Sequence, residues 1–338
     1  MLDTKVWLKH RTSSRHGRHM SSFLSSGIMS AVGPPVFMCT LLATFVTIFN
    51  QLVKENQLWP WIPALEVPSL PFYLTSAVLL LLLVFRASSS YNRYDEASKL
   101  WMLNASRARD ITRQALAWIR SPNDTSKLFC LLRHVKAYAF CLQDHLNEET
   151  HLNSKLKEIM EPHELDAIMS AKHRPSHVLH MISNLVQQCN ISEWEKMAMD
   201  DNISTFNTNL GECERILNTP IPLAYTLLTS RFLIMWHLAL PFALSGECGW
   251  LTIPAAFLVA MSLFYIEEVG VLMDEPFWIL SLGPVTDGIV IDVDELLQYH
   301  EATSSLPYHM QDRSEIDDEE ITIEASRFNG FDRQGLFM

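Results

Sequence analysis

A chain of 338 residues has room for two or three soluble domains, yet its mean hydropathy of +0.08 is high for a charged protein. The net charge of −12 sits mostly at one end, since from Asp287 onward 13 Asp/Glu face three Arg. No basic stripe exists to hold a phosphate backbone, so nucleic acid is excluded as a partner.

The first segment, 1–25, is basic: Lys5, Lys9, Arg11, Arg15 and Arg18 stand against Asp3. Ahead of a membrane span such a flank faces the cytoplasm-equivalent side and the anionic headgroups there. It also has the composition of an organelle-targeting remnant, although no cleavable transit peptide is expected before it. Apolar blocks follow near 28–50, 70–85, 223–244 and 251–272, each close to the ~20 residues that cross a bilayer. They predict an all-α membrane protein with four transmembrane helices.

Residues 26–85 hold the first two spans. Helix one is predicted over Ser26–Asn50, and the connection to helix two carries Trp59-Pro60-Trp61, suited to a membrane interface. Helix two opens at Leu70-Pro71 and meets no breaker until the cluster at Ser121-Pro122. It is therefore predicted to run from the membrane out to about Ile119. Residues 86–219 form a helical domain on the inner side, interrupted at Pro162 and Pro175. Residues 220–272 hold spans three and four, a hairpin joined by "SGECG" at 245–249. A post-membrane segment, 273–299, leads to an acidic tail at 300–338 poor in apolar residues, read as disordered or strap-like.

No catalytic motif is present: there is no P-loop, GxGxxG, GxSxG or HExxH, and no enzyme is expected. The six cysteines lack CxxC or regular spacing, which argues against a disulfide framework or a zinc finger. His173, His177 and His180 share a helical face, but Pro175 interrupts the first turn and no carboxylate completes a set, so no metal or cofactor is expected.

Charges inside the spans need partners. Arg231 lies ~9 Å above the inner face, and Glu267 and Glu268 on the antiparallel fourth span lie at ~4–6 Å, so an ion pair among them is predicted. The exit of helix two, "LLLLLVFRASSSYNRYDEASKLW", poses a different question. Arg86, Ser88, Ser89 and Ser90 could replace an anion's hydration along a wet path, or simply flank a span. The two readings are even on physics alone. On the same grounds Thr75 and Ser76 would face water and the leucines lipid.

"VFRASSSYNRYDEASKLW", "RDITRQAL", "NTPIPLAYTLLTSRFLIMW" and "FYIEEVGVLMDEPF", in that order, resemble the bestrophin family of anion channels. "WLKHRTSSRHGRHM" near the start points to its plant and algal branch, and the likeness covers about 7–285. The resemblance implies a homopentamer with one central pore lined by helix two, and a chloroplast thylakoid location. It also implies a dry neck at Leu70, Leu74 and Val78, the reverse of the orientation that physics alone suggests. Chloride is the default ion, and bicarbonate is a close variant. A non-conducting scaffold that recruits partners through the acidic tail is the contrasting class. A secondary transporter fits less well, for want of a repeat or a broken helix pair. Animal members are activated by calcium at carboxylates after a Pro-Phe. Here Pro276-Phe277 is followed by Trp278, Ile279, Leu280, Ser281, Leu282 and Gly283, so no such calcium site is expected.

Overall fold

The computed structural model describes residues 27–56, 63–147 and 151–304, and all regular elements among them are helical. The basic N-terminal segment, the Trp59-Pro60-Trp61 connection and the acidic tail beyond residue 304 lie outside the described residues. The chain divides into two units, Met1–Val293 and Asp294–Met338.

Three stretches are long and apolar enough to cross a membrane: Gly27–Lys54, Leu70–Trp118 and Leu223–Met273. The first lies in α1 (Gly27–Asn56), which ends six residues later than expected because nothing in "QLVKEN" stops a helix. The second is α2 (Leu70–Trp118), one unbroken helix of 49 residues. At 1.5 Å per residue it is about 74 Å long, more than twice a ~30 Å hydrocarbon core. Pro71 sits in its first turn, where no amide partner is lost, and its backbone ladder closes at Ile119. The third stretch is two helices, α8 (Leu223–Cys248) and α9 (Thr252–Met273). Gly249 separates them with φ +53° and ψ −126°, a conformation an L side chain rarely adopts. The turn is tighter than "SGECG" suggested, because Ser245–Cys248 stay helical and a single 3₁₀ turn, Gly249–Leu251, completes it.

α1, α2, α8 and α9 pack into one bundle around Val32, Val36, Cys39, Leu79, Leu83, Leu233, Ala260 and Phe264. Lipid tails are as apolar as leucine, so such helices gain from close packing rather than from water release. Small residues supply it: Ala43, Ala256 and Ala260 are all buried. At one end Asn50 fixes the loop before α2. Its Oδ1 accepts the Leu65 amide at 2.7 Å, and its Nδ2 donates to Ser245 Oγ at 2.8 Å. Both groups are buried and both are satisfied.

The rest of the first unit is a soluble-type helical domain. Of α3 (Thr125–Asn147), α4 (Leu152–Lys157), α5 (Pro162–Ser170), α6 (Arg174–Gln188) and α7 (Glu193–Asn218), α3 and α7 pack against α2, α6 packs against both of them, and α4 and α5 link α3 to α6. The prolines expected to interrupt helices instead start them, with Pro162 and Pro175 each in a first turn. Ser192 and Glu195 close a capping box at the start of α7. The core joins Ile111 and Ala115 of α2 to Leu131, Val135 and Tyr138 of α3 and to Met199, Phe206 and Leu210 of α7. The Tyr138 and Phe206 rings meet at a tilt with centroids 4.6 Å apart, and the Tyr138 hydroxyl donates to the Phe206 carbonyl at 3.2 Å. Two further helices, α10 (Pro276–Ile279) and α11 (Leu282–Ser304), follow the bundle.

Candidate functional site: the long helix and its anchor

Along its apolar part α2 has two kinds of face. Leu79, Leu83, Arg86 and Ser90 are buried against the other helices of the bundle. Leu70, Leu74 and Val78 are 66%, 67% and 52% exposed in the protomer, and the stripe continues through Leu81, Phe85, Ser88 and Ser89. Steps of three and four residues keep these side chains on one side of a helix. Thr75 and Ser76, which sequence physics alone would turn to water, are half-buried, and their hydroxyls are spent within the protomer. Thr75 accepts from Trp236 Nε1 at 3.2 Å and donates to the Pro71 carbonyl, while Ser76 donates to the Tyr73 carbonyl.

The polar exit of α2 splits into two pairs. Ser88 and Ser89 are exposed. Arg86 and Ser90, expected beside them on an anion path, instead point into the protomer and are buried, with the Arg86 side chain only 1% accessible. The reason is periodicity, since residues 86 and 90 follow Leu79 and Leu83 down the buried face. Their partner is Asp274 at the C-terminus of α9, an acid the sequence did not single out. Arg86 Nη2 lies 3.2 Å from Asp274 Oδ2, and Ser90 Oγ donates to Asp274 Oδ1 at 2.6 Å. Gly270 is close by: a Cβ there would lie 3.7 Å from Arg86 Nε.

One turn further on, Arg93 binds three backbone carbonyls. Its Nε donates to Asp274 O at 2.8 Å, Nη1 to Thr219 O at 2.7 Å, and Nη2 to Ile216 O. These are last-turn oxygens of α9 and α7 that no intrahelical amide can reach. Arg86, Ser90 and Arg93, at i, i+4 and i+7, therefore tie α2 to the end of α9 and to the junction between α7 and α8. That spacing is visible in the sequence. Its target is not, because Asp274 lies 181 residues from Arg93.

The predicted ion pair does not form in the protomer. Among the described residues, Arg231 makes no salt bridge with Glu267 or Glu268, and the cation acting on Glu267 is Arg86. Depth on the two helices is right, but azimuth is not. Ser230 faces Glu267, and Arg231, one residue on, is exposed beside Leu227, Leu228 and Met235 of its own helix.

The helical domain carries its own buried charge. Arg133 donates from Nε and Nη2 to the two oxygens of Glu164, at 3.1 and 2.8 Å. Burial alone would raise the Glu164 carboxyl, but Arg133, the Cys130 thiol and the Glu161 amide more than reverse it and hold it at about 2. Burial and the same carboxylate push the Cys130 thiol up to about 12. The expected histidine row is also rearranged. His173 caps α6, accepting the Ser176 amide at Nδ1, and its Nε2 turns away to Glu214.

Residues 6–295 match the family model described as Bacterial/Fungal Bestrophin protein. The chain is 38% identical over 293 residues to Voltage-dependent chloride channel 1, chloroplastic, of Arabidopsis thaliana, covering 86% of this chain and 72% of that one. It is 29% identical to a voltage-dependent anion channel-forming protein of Nostoc, covering 84% of this chain and 92% of the relative. Among solved structures, a bacterial bestrophin homolog from Klebsiella pneumoniae superposes with a TM-score of 0.71 at 21% identity, covering 79% of this chain and 98% of that one.

Proposed function

Because the chain belongs to the bestrophin family, we propose that it is a passive anion channel, with chloride as the default ion and α2 as the pore-lining helix. The observation that carries this reading is the unbroken α2, with one continuous exposed stripe from Leu70 to Ser89. Around a symmetry axis those side chains would form an apolar neck at Leu70, Leu74 and Val78. Beyond it Ser88 and Ser89 would offer hydroxyl donors to an anion regaining its hydration. In a lone protomer that stripe would face lipid, and in our reading a homopentamer turns it to the pore instead.

We read four crossings per subunit from the same helices. α8 and α9 have 26 and 22 residues, about 39 and 33 Å at 1.5 Å per residue, so each half of the third stretch can cross alone. That puts the helical domain on the side of the basic N-terminal segment. The chloroplastic relatives support a chloroplast membrane, and the thylakoid is our assignment within it. Bicarbonate remains a second permeant ion in this reading, since its size and charge are close to those of chloride.

The test is current from purified protein in a planar bilayer, first in chloride and then in bicarbonate. Chloride-selective current over potassium is expected. Silent protein that still binds partners through residues 300–338 would overturn the reading in favour of a scaffold.

A further inference from the structure

We propose that His145, His173 and Glu214 form a binding site for a first-row divalent metal of the zinc class, on the helical domain. His145 lies in the last turn of α3, His173 caps the start of α6, and Glu214 lies near the end of α7. Three elements thus converge on one point. Both imidazoles reach the same carboxylate oxygen: His145 Nε2 is 2.9 Å and His173 Nε2 is 2.7 Å from Glu214 Oε1. The ring centroids are 4.8 Å apart.

Two imidazole nitrogens and one carboxylate oxygen are a donor set that zinc takes with water in its remaining position. Bonds of about 2.0–2.2 Å in a tetrahedron put ligand atoms about 3.3 Å apart. The observed separations need to open by only about half an ångström to meet that figure. The side chains are 31%, 40% and 30% accessible, so an ion can enter and keep water ligands. The Arg174 guanidinium that follows His173 is paired to Asp144 at 2.6 Å. The adjacent Cys213 is buried and is not among the three converging side chains. Imidazole donors favour zinc over magnesium or calcium, which prefer all-oxygen shells.

Metal on His173 Nε2 places a proton on Nδ1, which then no longer accepts the Ser176 amide, now 3.3 Å away. Binding therefore competes with one cap contact of α6, and micromolar rather than picomolar affinity fits. The sequence hid the site because it set His173 beside His177 and His180 on one helix. The fold brings it instead to residues 28 positions before and 41 after it in the chain.

The experiment titrates zinc chloride into the detergent-purified full-length protein and follows binding by calorimetry and stability by thermal melting. One zinc per chain is expected with a raised melting temperature, and neither magnesium nor calcium should reproduce it. His145→Gln, His173→Gln and Glu214→Gln should each weaken binding at least tenfold. Should the variants fail to assemble, the wild-type protein still decides. Zinc should protect His145 and His173 from diethyl pyrocarbonate in mass-spectrometric mapping, and leave exposed His180 reactive. Equal modification of His145 and His173 with and without zinc, or unchanged affinity in the folded variants, would show that the three side chains form only a hydrogen-bonded cluster.

Discussion

Asp274 carries more of the architecture than any acid singled out in the sequence. One carboxylate oxygen takes Arg86, the other takes Ser90, and its backbone oxygen takes Arg93. Removing one partner of a buried pair costs about 3–5 kcal/mol, because the remaining charge is left without compensation. Arg86→Met should therefore lower the melting temperature of the purified protein markedly. Adding Asp274→Asn should recover part of the loss, whereas strictly additive losses would show that the two side chains do not act as a pair. Arg231→Met, on an exposed position, should cost much less than Arg86→Met in the same assay.

The Arg133–Glu164 pair gives a pH test at the same scale. With the Glu164 carboxyl held at about 2 against an ordinary value near 4.5, its contribution is complete above about pH 4.5 and is lost as pH falls toward 2. The full swing is about 3 kcal/mol. Stability from this pair should be flat between pH 5 and 8, and Arg133→Gln should flatten the acid limb of a melting-temperature profile. A loss centred near pH 6.5 would assign the effect to histidines instead.

Element by element, the helices were largely legible and their facing was not. The start and end of α2 follow from Pro71 and the Ser121-Pro122 cluster, because local breakers fix helix ends. The division of Arg86–Ser90 into two inward and two outward residues needed the direction of the neighbouring helices, and 100° per residue then decided it. Arg231 and Glu267 show the same limit. Axial depth can be counted along a sequence, whereas azimuth depends on where Ser230 meets α9. The element-scale prediction concerns the exposed stripe: the double variant Leu74→Ala with Val78→Ala should raise single-channel conductance and weaken selection among anions. Unchanged conductance in an assembled double variant would remove these residues from the neck.

For the molecule as a whole, the descent from α9 bears on calcium. After Pro276-Phe277 the chain forms the short α10 and starts α11 with Trp278 exposed and no carboxylate before Asp287. Of the two acids just before the motif, Asp274 is already occupied by Arg86 and Ser90, which leaves Glu275. Calcium needs ~6–8 oxygen ligands, several of them usually charged, and this corner has no set to offer. Currents should accordingly persist with calcium chelated on the inner face. Steep micromolar activation that survives deletion of residues 310–338 would contradict that expectation.

The continuity of α2 has a mechanical consequence. Between Phe72 and Trp118 it contains neither proline nor glycine, the residues at which helices bend sharply. A rod of this kind has no hinge and moves as a lever, with the Asp274 anchor as its fulcrum. Leu70 lies about 24 Å from Arg86 along the axis. A tilt of about 3° at the fulcrum displaces the Leu70 end by about 1 Å. Force applied to the second half of the helix therefore reaches its Leu70 end without any local unfolding between them.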